Sequence, residues 1–557
     1  MRGTRSIHRL AMFALALFAC PAALAQADLV VRNAKIWTGG NDRPEALAVR
    51  GGKFTVIGSN ADVALQIGPT TKVIEAGGKR VLPGLIDAHV HLGNAARSLS
   101  ALDLRGASGR EDLLARLEAF ARDMPSGAWI VGTGWSAESW PDQRPPTAQE
   151  IQRAAGDRPA ALIRMDGHSL LASDKALALA GITKEGPADP PGGKIARADD
   201  GAPTGAVIDE AMTLITAKVP APAEEERRAA LLRAIGLCNA AGLTAVGAIE
   251  TRETAEALAA LDREKPLTLR IAVTVWDEEA KTVDAWKPTL EWAAKHARLS
   301  PRIRVLGFKG YMDGSLGSRS AWMAAPYADD PANSGFPLAM ASDGSLRELI
   351  LLGASMGLQP AVHAIGDRAN HVILEWYGEL APAVRAKVRP RIEHAQHLLP
   401  GDIGLFLTNN VIASMQPYHK ADDGRYAEAR LGPERVKTSY TFASLVNDGA
   451  RVAFGSDWPV VSNSPFLGMW AAVCSRTLDG RTFVPEEALH IEDALHLYTS
   501  QAAWALQSEQ SIGRIAQGLQ ADFVMLDRDI AEVPAEEIRD VRAVLTAVAG
   551  AVVFKAE

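Results

Sequence analysis

The stretch Val81-Leu-Pro-Gly-Leu-Ile-Asp-Ala-His-Val-His-Leu-Gly93 joins an apolar strand pattern to two histidines one residue apart. Residues i and i+2 of a strand point to one face. His89 and His91 are therefore expected side by side, with Asp87 on the same face one step earlier. Two imidazoles on a rigid strand make half a site for a borderline-soft divalent ion such as zinc. The same pair also serves packing or solubility, so a metal reading requires further ligands downstream.

Upstream of this stretch, residues 28–58 read as short strands separated by turns, with Gly51-Gly52 as a hairpin signal, and Lys72–Glu75 adds another strand. A matching β-rich run returns only near the other end, at Ile512–Asp527 and Val541–Val553. Neither piece is large enough to bury a core alone. Residues 26–82 and 506–557 are therefore expected to form one composite β-sandwich domain. Before them, Arg2, Arg5, His8 and Arg9 precede the apolar run Leu10–Cys20, and Ala23-Leu-Ala25 supplies small residues. Residues 1–25 read as a secretory signal peptide cleaved after Ala25, which makes the protein exported, periplasmic or secreted. A lipoprotein signal ending at Cys20 is the alternative. The mature chain keeps Cys238 and Cys474, both in apolar, helix-like contexts and read as buried free thiols.

Downstream, residues 83–505 alternate strands with helices. Apolar β-rich runs occur at 243–249, 268–275, 302–308, 358–363, 389–394, 411–416 and 451–456. Amphipathic segments lie between most of them, as in 224–241, 284–296, 346–356 and 434–447. With the strand before His89 there are eight, the number of an α/β (β/α)8 TIM barrel. A doubly wound sheet satisfies the alternation, but the count and the polar residues at strand ends favour the barrel. Residues 97–223, rich in Gly, Pro and Trp, break the pattern and are too long for a plain loop. They read as an inserted lid subdomain over the carboxyl end of the first strand.

Chemistry in such a barrel sits where strands end. The first strand ends in Asp87, His89 and His91, the fourth in Lys309, the fifth in His363, the sixth in His394 and the eighth in Asp457. Each alone has an ordinary reading as a packing histidine, a capping lysine or a turn-starting aspartate. On separate strand ends of one barrel, together with His-x-His, they point to one constellation.

The text around these residues resembles the amidohydrolase superfamily, in particular amidohydrolase family 3, which includes N-substituted formamide deformylases. The matching segments are Pro83-Gly-Leu-Ile-Asp-Ala-His-Val-His91, Lys309-Gly-Tyr-Met-Asp-Gly-Ser-Leu-Gly-Ser-Arg319, His363-Ala-Ile-Gly-Asp367, Ile392-Glu-His-Ala-Gln396 and Gly455-Ser-Asp-Trp-Pro459. Gly513–Asp527 also resembles the family's composite β-domain. The resemblance covers essentially the whole mature chain. It implies His89 and His91 on one metal, His363 and His394 on a second, and a CO2-carboxylated Lys309 bridging two zinc ions; not all relatives keep two metals, so a single-metal site stays open. It further implies Asp457 as a ligand of the first metal and as the general base acting on a water.

Substrate contacts are less legible. Asp166-Gly-His168 resembles a family motif, but Leu170-Leu171 and Ser173-Asp174 stand where a tryptophan and an Asn-Ser pair are usual, which weakens transfer of substrate preference. His168, Arg319, His419 and Trp135 are the candidates for binding substrate, with His397 weaker. Trp129, Trp135 and Trp140 line a pocket or pack the insertion. The Asp313-Gly-Ser-Leu-Gly317 loop lacks the Lys-Ser/Thr of a phosphate loop and reads as a turn orienting Lys309. A net charge of −7 without a Lys/Arg run argues against nucleic acid or anionic membrane as partner, and no later run reaches the length of a membrane span. The expected partner is a small molecule, and a homodimer is neither required nor excluded by Pro187–Gly193 or the Ala-rich helices. The expected activity is metal-dependent hydrolysis of a C–N bond in an amide, formamide, carbamate or cyclic ureide. Ester or lactone hydrolysis and non-catalytic metal binding are the alternatives.

Overall fold

The computed structural model describes residues 26–557, apart from residues 100, 138–139, 165–168, 191–192 and 221–222. The signal-peptide reading of residues 1–25 and the reading of His168 lie outside the described residues.

Eight parallel strands form the central sheet: β1 (Leu85–Val90), β2 (Leu243–Glu250), β3 (Arg270–Val275), β4 (Ile303–Tyr311), β5 (Gln359–Ala364), β6 (Arg391–His394), β7 (Ile412–Met415) and β8 (Arg451–Phe454). They pair in chain order from β1 to β8, and a short strand, Arg298–Ser300, adds antiparallel to β4. Between β8 and β1 there is no regular ladder. Instead the Asp457 N–H donates to the His89 carbonyl at 2.7 Å, and the His91 N–H donates to the Trp458 carbonyl at 2.8 Å. The chain just past β8 thus nearly closes a TIM barrel, and it does so beside the residues singled out in the sequence.

The expected strands and these eight coincide to within a few residues. Lys309 is not terminal: β4 continues to Tyr311. Helices Glu224–Ala240, Val283–Lys295 and Ser345–Ser355 occupy the expected crossovers. The expected helix over 434–447 is broken into a turn at Arg435–Thr438 and a helix at Phe442–Asn447. The cause is local: Tyr440 has φ +53°, its N–H donates to the Gln396 carbonyl at 2.7 Å, and Ser439 bridges to His397. Backbone pairing to a neighbouring loop outcompetes the helical pattern at those two residues.

At the strand-start end, Ile86, Ala88, Ala245, Ala272, Leu306, Ile412 and Ala453 form one apolar cluster with Ala502, Ala503 and Ala505 of helix Ser500–Ala505. Small residues let that helix approach the strand starts closely.

The terminal segments form two further sheets. One carries Lys53–Gly58, Ala46–Arg50, Leu29–Arg32 and Lys72–Glu75 in that order. The other runs Lys35–Ile36, Arg80–Pro83, Phe523–Leu526, Ala543–Val548 and Ala551–Lys555, so chain starts and ends pair directly. Leu29, Leu47 and Phe54 of the first sheet share a buried cluster with Val81, Phe523 and Leu545 of the second. Between β1 and β2 lies a six-stranded mixed sheet from Leu102–Asp103 to Pro203–Asp209. Cys238 is buried and Cys474 only partly so, and both are free thiols. Among the described residues no helix is long and apolar enough to cross a membrane.

Candidate metal centre

Three groups converge most tightly: His89 at the end of β1, His394 closing β6, and Asp457 just past β8 offer ligand atoms that all lie within 4.8 Å of one another. All three are buried. His91, the residue after β1, brings Nε2 to 3.2 Å from Asp457 Oδ1, and His89 Nε2 lies 3.4 Å from the same oxygen. The His363 ring sits 4.5 Å from that of His394, centroid to centroid, and the His394 ring 5.1 Å from that of His89. Lys309 is 1% exposed and places Nζ 4.9 Å from the centre of the Tyr311 ring. Asp87 is not part of this convergence. Its carboxylate accepts from the Ser456 hydroxyl at 2.5 Å, the Ser456 N–H at 2.9 Å and the His89 N–H at 3.1 Å, and so clips β1 to the segment after β8.

The imidazole tautomers follow from their outer partners. His89 Nδ1 lies 2.6 Å from Glu393 Oε2, and His394 Nδ1 lies 2.8 Å from Gln416 Oε1. Carboxylate and amide oxygens only accept, so each Nδ1 carries the proton and each Nε2 keeps its lone pair. His363 is reversed: its Nε2 donates to the Gly314 carbonyl at 3.1 Å, which leaves Nδ1 as the free lone pair. His89 Nε2 is buried with no hydrogen-bond partner among the described residues. An orphaned imidazole lone pair beside a carboxylate and a second such lone pair is a donor set that suits a divalent cation. These residues fit a metal.

Glu393 anchors the arrangement. Arg391 donates Nε to Glu393 Oε1 at 2.8 Å and Nη2 to Oε2 at 3.0 Å; Nη2 also donates to the Ala88 carbonyl and the Ser414 hydroxyl. Arg391 and Glu393 are fully enclosed within the barrel. Burial alone raises a carboxyl, but Arg391 and His89 hold Glu393 well below its ordinary value. Burial likewise opposes ionisation of Asp457, yet the His89 and His91 imidazoles beside it hold it well below the usual carboxylate range. Burial pushes the Lys309 ammonium down to about 8, so a neutral amine is accessible near physiological pH. Burial and the Lys309 charge push His363 down to about 3 and keep it neutral.

The structure separates the substrate-binding candidates. His419 stays near the centre, its Nε2 3.9 Å from Asp457 Oδ2 and its ring stacked 6.2 Å from His394. Arg319 turns to Asp329, donating at 2.8 and 3.1 Å. Trp135 is 5% exposed in the insertion's own core, where its indole N–H donates to the Leu162 carbonyl at 2.7 Å beside Trp140. His397 is occupied with Ser439 at 2.8 Å. The Asp313 loop does stand beside a ligand strand: Asp313 accepts from the Ile365, Gly366 and Trp322 N–H groups at 3.0, 2.8 and 2.8 Å, pinning the loop to the end of β5 rather than to Lys309.

Sequence reasoning left Glu393, Arg391 and Gln416 without a role. The signal for the first two was present, since residues two apart on a strand share a face and Arg391-Ile-Glu393 sets opposite charges side by side just before His394. Gln416 carries no such signal. Two of the three converging residues, His394 and Asp457, also have positive φ, +78° and +62°. Such residues in the left-handed region cost about 1–3 kcal/mol each and persist only where surrounding contacts over-determine them.

Comparison with known proteins agrees with this geometry. The sequence profile described as "Amidohydrolase family" matches residues 72–554. Protein LONG AFTER FAR-RED 3 of Arabidopsis thaliana is 35% identical over 525 residues, 91% of this chain and 88% of that protein. N-substituted formamide deformylase of Arthrobacter pascens is 28% identical over 543 residues, covering 94% and 97% of the two chains. A solved structure of an uncharacterized metal-dependent hydrolase from Pyrococcus horikoshii superposes with a TM-score of 0.75 at 28% identity, over 91% of this chain and 99% of that one. With a profile match over most of its length and a relative 35% identical over 91% of it, this chain belongs to the amidohydrolase family.

Proposed function

We propose that the protein is a metal-dependent hydrolase of a C–N bond in a small molecule, an amide, formamide, carbamate or cyclic ureide. The observation that carries the reading is the buried convergence of His89, His394 and Asp457, with His91, His363 and Lys309 around it. Similarity to an N-substituted formamide deformylase supports the C–N choice. The residues that would hold metal are His89, His91, His363, His394, Asp457 and Lys309, the last as a carbamate bridging two zinc ions. A bound metal supplies a lowered pKa for water and polarisation of a carbonyl.

The chain's own groups do the remaining work. Glu393 and Gln416 fix the His89 and His394 tautomers, so that Nε2 and not Nδ1 faces the centre. Asp457, ionised and aligned by His91, takes a proton from the attacking water and returns it to the departing nitrogen. The water oxygen bonds to the carbonyl carbon as the C–N bond breaks, giving a free amine and, from an amide or formamide, a carboxylic acid that releases its remaining proton to solvent. His419 flanks Asp457 on its Oδ2 side, where a substrate group would sit. Under the same reading the paired terminal sheets are one β-sandwich unit, residues 97–223 form a lid, and residues 1–25 direct export.

Asp457→Asn provides the test. Turnover of a C–N substrate found by screening N-substituted formamides, amides and ureides with zinc-loaded protein should fall roughly 10²–10⁴-fold. Metal content should be reduced but not abolished. Hydrolysis of esters or lactones with none of the C–N substrates would overturn the assignment of bond class, and metal uptake with no hydrolysis would leave only a binding protein.

A further inference from the structure

The opposite end of the barrel holds a polar cavity that the hydrolytic reading does not use. It encloses about 210 Å³ where β2, β3 and β4 begin and the chain runs on from helix Ser500–Ala505. Four arginines line it: Arg270 opening β3, Arg298, and Arg302 and Arg304 at the start of β4. Arg304 and Lys309 are five positions apart on β4, so the cavity lies roughly 16 Å from the metal centre.

Three of the four guanidiniums here lack an ion-pair partner among the described residues. Arg270 is answered by Asp522, at 2.7 and 3.1 Å. Arg298, Arg302 and Arg304 have no carboxylate in ion-pair contact among the described residues. Arg298 donates to the Pro301 carbonyl, and Arg304 to the Gln507 carbonyl and the Ser508 hydroxyl. Arg302 Nη1 is buried and has no hydrogen-bond partner among the described residues. The nearby carboxylates act on them only at a distance: Asp262 accepts from the Leu267 and Arg302 backbone N–H groups, Asp522 holds Arg270, and Glu509 pairs with Arg389. Burial and the Arg270 charge lower the Arg302 guanidinium from its ordinary value, and burial and Arg298 lower that of Arg304. Cations crowded against one another in a half-buried cavity, one with an unmet buried donor, are stabilised by an anion between them. Planar guanidinium forks match the oxygens of phosphate-type groups.

We propose that this cavity binds a tetrahedral oxyanion of the phosphate class, held by Arg302, Arg304 and Arg298, with Ser508 and Gln520 at its wall. The site joins the barrel to the C-terminal segment, since Ser508 and Gln520 belong to the latter and the arginines to the former. The oxyanion arrives either as free phosphate or as the end of a small phosphomonoester, and the volume admits both.

Calorimetric titration of the metal-loaded, full-length protein with inorganic phosphate, at ionic strength matched with sodium chloride, tests it. One saturable site is expected, with affinity at least tenfold weaker in Arg302→Met/Arg304→Met and in the milder Arg302→Gln. Binding should persist in His394→Ala, which breaks the metal centre at the other end. Tighter binding of glycerol 3-phosphate than of phosphate would identify the ester as the ligand form, and the reverse the free ion. Absence of saturable binding in wild type, binding unchanged in the folded Arg302→Gln variant, or binding lost in His394→Ala would overturn the proposal.

Discussion

Glu393 is the residue on which the centre turns, because it is closed off from solvent yet fixes what His89 presents. Its two oxygens hold Arg391 on one side and His89 Nδ1 on the other, with no exposure to solvent. Replacing it leaves the Arg391 charge buried without its partner, a defect that costs about 3–5 kcal/mol. It also frees the His89 ring to rotate or change tautomer, and loss of such an outer partner weakens metal binding by about 10–100-fold. Glu393→Gln should therefore lower both the denaturant midpoint and the zinc affinity measured by chelator competition. A variant with unchanged zinc affinity would show that His89 is oriented by something else. The histidines, Lys309 and Asp457 were legible because each closes or nearly closes an apolar run. Glu393, sitting one residue inside the same run, shows in the sequence only its pairing with Arg391; its hold on His89 needs the neighbouring strand to be known.

The strands were the readable elements, since parallel barrel strands are continuous apolar runs that stand apart from their crossovers. What the sequence could not show is where tertiary pairing overrides a local pattern. The 434–447 segment has the apolar spacing of one helix, yet Tyr440 leaves it to pair with the loop that follows His394. The same holds at the end of β2, where Glu250 accepts from the Gly93 N–H at 3.0 Å, at the start of helix Leu92–Ser98. A carboxylate there favours a helix start, but burial raises Glu250 to about 7 from 4.5. A folded pKa above the unfolded one means that the folded state holds the extra proton. Stability from this group is then greatest at low pH and falls as pH rises from about 4.5 through about 7, by at most about 3 kcal/mol. Glu250→Gln keeps an acceptor and removes the titration. The stability of the variant relative to wild type, from urea unfolding, should increase between about pH 5 and about pH 8. A difference constant over that range would mean that Glu250 ionises normally.

The chain is held as one body by the return of its end to its beginning. Phe523–Leu526 lies between Arg80–Pro83, which leads into β1, and Ala543–Val548. Phe523 is 1% exposed and packs against Phe54 with ring centres 6.5 Å apart. Truncating it to alanine should cost about 3–5 kcal/mol while leaving metal content per chain unchanged, because the defect lies in the shared core of the terminal sheets. A loss of metal in a folded Phe523→Ala protein would instead tie the terminal sheets to the centre. This pairing was foreseeable only because each terminal segment was too small to fold by itself. The internal sheet order of residues 97–223 was not foreseeable, as mixed parallel and antiparallel pairing leaves no single period in the sequence. The central claim is that the buried strand-end residues hold a catalytic metal, and elemental analysis of protein purified without chelator tests it most directly. The account predicts stoichiometric divalent metal, about two ions per chain if Lys309 bridges them, falling to about one or none in Lys309→Ala and in His394→Ala. Circular dichroism should show both variants folded. No stoichiometric metal in wild type, even after reconstitution with zinc and bicarbonate, would contradict it.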